Sequence, residues 1–220
     1  MIRDPASAAR DPRTKAIGGL ARLVTEAPWT LTRHDRARAH DAELDDATIL
    51  HVIMLSSFFG YLNRVADAVG IELDYDVMVR PPPPDPETPP LVRPSHDERP
   101  APDQGPLTIT MRPGAIEALA AWNDHVMERD APLTRAQRLL ISRVAADTVG
   151  DASLPPPEPS DHPIVALTET IALAPWRLGE AALAPLREAG MSDEAIFDAI
   201  SVAAFANFAS RLNVALAALQ

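Results

Sequence analysis

The chain has 220 residues, a net charge of −11 at pH 7, 23 prolines and no cysteine. The charge argues against nucleic acid or an anionic membrane surface as partner, and the missing thiol excludes disulfides, thiolate nucleophiles and cysteine metal sites. The length suits one large domain or two small ones, and the charged, proline-containing N-terminus lacks an apolar signal region, so a cytoplasmic location is expected.

Residues 1–14 read as a loose arm. A short helix is expected from about Lys15 to Thr25, ended by Ala27-Pro28-Trp29 because the residue before a proline leaves the helical region. Thr32 is a suitable N-cap for a second helix through about Glu43. Asp45 and Asp46 then open a long helix, Leu44–Gly70, whose run from Ile49 to Leu62 is apolar on nearly all sides and so marks a buried core helix. That run is too short for a bilayer and contains His51, so no membrane span is expected. Ile71–Val79 extends the helix briefly. Pro81–Pro106 holds eleven of the prolines, which removes regular backbone donors and predicts an extended connector.

Beyond the connector, Gly114–Arg129 has helical apolar spacing at Ile116, Leu119, Ala120 and Val126. Thr134-Arg135-Ala136-Gln137 is a capping-box sequence opening a helix through about Val149. A proline-rich break at Gly150–Pro159 precedes helices over Pro163–Leu173, Gly179–Ala189 and Ser192–Leu219. No stretch alternates with period two over a strand's length, so the chain reads as all-α. Its expected divisions are the arm, a first helical unit over 15–80, the linker 81–106 and a second unit over 107–220.

The two units repeat each other. Ala27-Pro28-Trp29 recurs as Ala174-Pro175-Trp176, and the same offset of 147 pairs Asp46 with Asp193, Ile49 with Ile196, Phe58 with Phe205 and Arg64 with Arg211. A Pro-Trp pair, a helix start and a late arginine held in one register point to an internal duplication. The expected fold is a helical bundle of two halves about a pseudo-two-fold, with the two long helices at its centre.

Trp29, Phe58, Phe59, Tyr61, Trp176, Phe205 and Phe208 are most of the aromatics. Their place in the repeats reads as core packing, with the lining of a ligand pocket, above all by Trp29 and Trp176, as the other use. Arg64 and Arg211 each end an apolar helix face, where a guanidinium needs a carboxylate or several carbonyls. Each serves either in capping or an inter-helix salt bridge, or as a clamp for a carboxylate or other oxyanion substrate. Asn63 and Asp67 stand near Arg64, whereas Ser210 and Val214 replace them near Arg211, so a polar site is expected in the first unit. His51 has Asp198 as its counterpart, and near a pseudo-two-fold axis the two can meet as a His–carboxylate pair with His51 as acid and base. The pairs Asp124–His125 and Asp161–His162 are sequence neighbours that point apart on a helix. There is no HExxH, metal-ligand spacing, phosphate loop or G-x-S-x-G, so no metal and no cofactor is expected.

The stretches DDATILHVIMLSSFFGYLNRVADAVGIELDY and SDEAIFDAISVAAFANFASRLNVAL resemble the closing helix of the alkylhydroperoxidase D-like (AhpD-like) proteins of the carboxymuconolactone decarboxylase superfamily. Within the first, F-x-x-x-N-R-x-A-D at Phe59–Asp67 carries most of the likeness. From about Pro113 onward the chain resembles a whole domain of that family. The resemblance implies a peroxidase-related helical bundle that works through a C-x-x-C pair, an upstream Glu and a following His. Where that pair should fall this chain reads Asp147-Thr148-Val149-Gly150-Asp151, so the thiol chemistry is excluded and the family's catalytic residues do not transfer. Three functions follow as expectations. One is a divergent member with a relic or non-redox small-molecule site near Arg64, Asn63 and His51, with Asp67, Arg211, Trp29 and Trp176 as further contacts. Another is a thiol-independent lyase or isomerase of a small carboxylate or lactone. The last is a non-catalytic module for dimerisation or partner binding. A homodimer or larger homo-oligomer is expected, because such helices seldom bury both faces alone.

Overall fold

A computed structural model describes residues 11–71 and 113–219, and every regular element among them is helical. The connector 81–106, the extension 72–79 and the first ten residues lie outside the described residues. Eight α-helices follow in order: α1 Pro12–Glu26, α2 Arg33–Asp41, α3 Asp46–Val69, α4 Pro113–Met127, α5 Arg135–Val149, α6 Ile164–Leu173, α7 Glu180–Glu188 and α8 Asp193–Ala218.

Local chemistry sets most of the ends. Asp11 accepts from the Thr14 N–H at 2.8 Å and Pro12 occupies the first turn, so α1 begins at Pro12, earlier than the arm 1–14 allowed. Asp45 caps α3 through Thr48 N–H at 2.8 Å. Thr134 and Gln137 form the capping box of α5, and Ser192 caps α8.

The two halves share a backbone plan at the offset of 147. Helices α1 and α6 end at Glu26 and Leu173, α2 and α7 span matching residues, and α3 and α8 start at Asp46 and Asp193. Short 3-10 turns follow α1 and α6 at Pro28–Thr30 and Pro175–Arg177. The residues before them, Ala27 and Ala174, have φ/ψ of −150/65° and −153/57°. Even a side-chain contact is kept: His40 Nε2 lies 3.0 Å from Asp46 Oδ1, and Arg187 Nε lies 2.9 Å from Asp193 Oδ1.

The turns that lead into the long helices carry different residues at one strained position. Glu43 has φ 62° where Gly190 has φ 82°. A side chain in the left-handed region costs about 1–2 kcal/mol, partly offset by the extra freedom glycine loses on folding. Glu43→Gly is therefore expected to stabilise the protein by about 0.5–1 kcal/mol, read from the urea midpoint at unchanged slope.

Two apolar clusters form the core, and they draw on corresponding positions. One joins Val24, Leu31, Ala39, Ile49 and Ile53 to the C-terminal half of α8 at Phe208 and Leu212. The other contains Ile171, Leu186, Ile196 and Ile200 with Ile141 of α5. Helices α3 and α8 pack against each other, and α5 packs along α8. The apolar run of α3 reads as too short for a bilayer, yet by length and mean hydropathy (1.3) alone α3 and α8 are both long and apolar enough to cross one. Burial separates them, since 78% of the apolar window of α8 is buried inside the protein against 39% for α3.

Candidate functional site

Arg64 and Arg211 are both buried, at 6% and 1% exposure. Their surroundings follow from helix chemistry. The last carbonyls of an α-helix have no partner within it, and the peptide dipoles leave them partly negative. Arg64 Nη2 donates to Ala172 O near the end of α6 (3.3 Å), and its Nη1 donates to Gly60 O one turn back (3.0 Å). Arg211 Nη1 donates to Thr25 O (2.7 Å) and Val24 O (3.3 Å) near the end of α1, and Nη2 donates to Ala172 O (3.1 Å). Its Nε donates to Asn207 Oδ1 at 2.7 Å.

Thr25 and Ala172 are themselves 147 residues apart. Each arginine therefore caps the helix that corresponds to the one capped by the other: Arg64 of the first half holds α6, and Arg211 of the second half holds α1. Both also meet at the Ala172 carbonyl. No carboxylate is hydrogen-bonded to either guanidinium among the described residues. Burial pushes the Arg64 pKa down to about 10, slightly offset by Asp67. Burial and then the Arg64 charge hold Arg211 well below the ordinary arginine value. Asp67 itself lies on the exposed side of α3, with its carboxyl raised by partial desolvation that outweighs the Arg64 charge.

Gly60 allows this packing. A Cβ there would stand 3.0 Å from Arg64 Nη1. At the corresponding place in α8, Asn207 reaches its arginine with a side chain instead. Gly60→Ala gains about 1 kcal/mol of helix propensity but must displace a buried, bonded guanidinium. We expect it to destabilise the native protein and to stabilise the Arg64→Met variant, a change of sign readable by chemical denaturation.

Several expected groupings do not form. His51 is exposed and sits thirteen residues before Arg64 on α3, on the order of 20 Å along the helix, so the two cannot act on one small ligand. The His51–Asp198 pair is also corrected: Asp198 is held by Arg138, which is fully buried. Asn63 is exposed. Trp29 and Trp176 are half-buried on the two 3-10 turns, away from the ring cluster, and Trp176 Nε1 is buried without a hydrogen-bond acceptor among the described residues. His162 is a terminus feature, its Nδ1 accepting from Ile164 N–H at 3.2 Å. A groove of about 340 Å³ between α1 and α2 is lined by Lys15, Gly19, Leu23, Asp35 and Arg38, and none of the expected site residues reaches it.

Other residues matter more than their sequence context advertised. Arg138 Nε and Nη1 donate to Arg129 O (2.9 Å) and Val126 O (2.8 Å), and the guanidinium also grips Asp198, tying the end of α4 to α5 and α8. Its spacing from Ile141 and Ala145 places it on the buried face of α5, a signal the helical period does carry. Trp122 is the hub of the aromatic cluster, with ring centroids 4.7 Å from Phe205, 5.0 Å from Tyr61 and 5.3 Å from Phe208. Asn207, one turn before Arg211, completes the polar network, which is richer in the second half than the first.

Chemically the Arg64–Arg211 network is donor-rich. Within it Arg64 Nε and Asn207 Nδ2 are buried and find no hydrogen-bond partner among the described residues. A guanidinium near 10 stays charged at neutral pH, so the network can hold carbonyls or an anion but offers no base to move a proton. No protein-family model, curated protein or solved structure matches this chain.

Proposed function

We propose that this chain is a divergent, thiol-free relative of the AhpD-like proteins, built from a duplicated helical unit, and that it works as a non-catalytic assembly module. The observation that carries this reading is the reciprocal use of Arg64 and Arg211. The groups best suited to grip a substrate oxyanion are spent on backbone carbonyls, among them a helix-terminal one in the half opposite each arginine's own: Ala172 for Arg64 and Thr25 for Arg211. The shared backbone plan at offset 147 supports the duplication, and the separation of His51 from Arg64 along α3 favours this reading over a lyase or isomerase that uses both.

A second reading keeps a small-anion site at the same network, favoured by its two buried donors without partners among the described residues, Arg64 Nε and Asn207 Nδ2. Thermal-shift titration with acetate, benzoate, succinate and a γ-lactone at matched ionic strength separates the two. The assembly reading expects no shift beyond that of chloride. A saturable stabilisation by one of these compounds, lost in Arg64→Ala, would replace it with the ligand reading.

A further inference from the structure

The groove of about 340 Å³ between α1 and α2 is lined by neither Arg64 nor Arg211. Helical spacing builds its α1 wall: Lys15, Gly19 and Arg22 follow at intervals of four and three residues and share one face. Leu20 and Ala39, both buried, form its floor.

The second half shows why the space is open. At the offset of 147 the same helix pair recurs as α6 and α7, where Gly19 becomes Ala166 and Ala39 becomes Leu186. Leu186 is 0% exposed and shares a buried cluster with Leu167 and Ile171. Glycine and alanine leave room in the first half where larger side chains stand in the second, and a Cβ on Gly19 would meet no atom within 4 Å. The rim differs too. Lys15, Arg22 and Arg38 correspond to His162, Glu169 and Pro185, so the three cations belong to the first half alone.

Three cations and one carboxylate, Asp35, line the groove of a chain whose net charge is −11. Asp35 is already engaged. It accepts from Thr32 N–H at 2.8 Å and Thr32 Oγ at 2.9 Å, and it holds the Arg38 guanidinium beside the groove. Lys15 has no carboxylate partner among the described residues. Arg22 meets Glu26 at 3.3 Å, an exposed one-turn pair of the kind that contributes little.

We propose that this groove binds an extended hydrocarbon dicarboxylate. Lys15 and Arg22 stand about 10 Å apart along α1, at 1.5 Å for each of the residues between them. The wall from one to the other is Ala16, Gly19 and Leu20, so charge, hydrocarbon and charge follow in the order such a ligand presents. Two carboxylates match the excess of two cations over Asp35. Suberate, with about twelve non-hydrogen atoms, suits a volume equal to about eleven water molecules of liquid. A sugar phosphate matches less well, because the wall between the cations offers its hydroxyls no side-chain donor.

The inference goes beyond the assembly reading and does not depend on it. Isothermal titration calorimetry of the full chain with suberate at matched ionic strength tests it. Suberate should bind saturably, and octanoate, with one carboxylate, and succinate, with too short a chain, at least tenfold more weakly. Gly19→Leu fills the groove and places a better helix former in α1, so it should raise the urea midpoint and abolish binding. Lys15→Glu/Arg22→Glu should weaken binding at least tenfold with an unchanged far-UV circular dichroism spectrum, and Arg64→Met should bind as the native chain does. Absence of saturable binding overturns the proposal, as does binding that survives Gly19→Leu or the double substitution, or that octanoate equals. Binding lost in Arg64→Met overturns it as well and places the anion at the arginine network.

Discussion

Arg138→Ala should be the most damaging single substitution away from glycine and proline effects, at about 3–5 kcal/mol, the usual cost of breaking a buried ion pair by removing one partner. The guanidinium is fully buried and serves Asp198 together with the carbonyls of Val126 and Arg129. Its loss leaves a half-buried carboxylate without its counter-charge, two carbonyls without donors, and a cavity between α4, α5 and α8. Chemical denaturation checks the magnitude, and two controls check the cause. Arg138→Lys keeps the charge but not the fork, and should recover less than half of the loss. The pair Arg138→Met/Asp198→Leu removes both charges, and should be much less harmful than Arg138→Ala because nothing charged is left stranded.

Arg211→Ala comes next, at about 2–4 kcal/mol, from the cavity and from unpaired acceptors at Val24, Thr25 and Asn207, while Ala172 keeps the donor from Arg64. One term acts the other way. Arg211 is a buried cation beside another buried cation, and its depressed pKa reflects both facts. Removing it relieves Arg64, so Arg211→Met, which keeps most of the volume, should cost roughly half as much as Arg211→Ala. Arg64→Ala should cost less than Arg211→Ala, because Arg64 makes two hydrogen bonds where Arg211 makes four and already leaves its Nε unpaired.

The order Arg138, Arg211, Arg64 is the reverse of what the sequence drew attention to, and the reason is physical. Helix starts are local events. A cap needs only the residues within one turn, so Asp45, Thr134 with Gln137, and Ser192 could be read directly. The all-α class and the match of the two halves rest on periodicity and spacing, which are also written along the chain. Carbonyl acceptors are not. Every residue carries one, so nothing near Arg64 or Arg211 in sequence announces that the end of a distant helix will arrive there.

The His51–Asp198 expectation failed for a related reason. Positions 147 apart on α3 and α8 meet only where the two helices approach each other. The shared Ala172 acceptor places that meeting at Arg64 and Arg211, far along each helix from residues 51 and 198. Arg138 is masked in the sequence by the leucines and isoleucine that follow it, although the helical period puts it on the same face as Ile141. The exposure of Leu55 and Phe59 on α3 was hidden by the helix's own composition. A helix apolar on nearly all sides reads as fully buried, and only the absence of a described cover over Leu55 and Phe59 distinguishes it from α8.

Amide hydrogen exchange on Arg64→Met and Arg211→Met, compared with the native protein, reaches the reciprocal capping most directly. If each arginine secures the opposite half, Arg64→Met should lose protection across α6, residues 164–173, and Arg211→Met across α1, residues 12–26. Protection lost only in the helix that carries each substitution, or in neither helix, would contradict it.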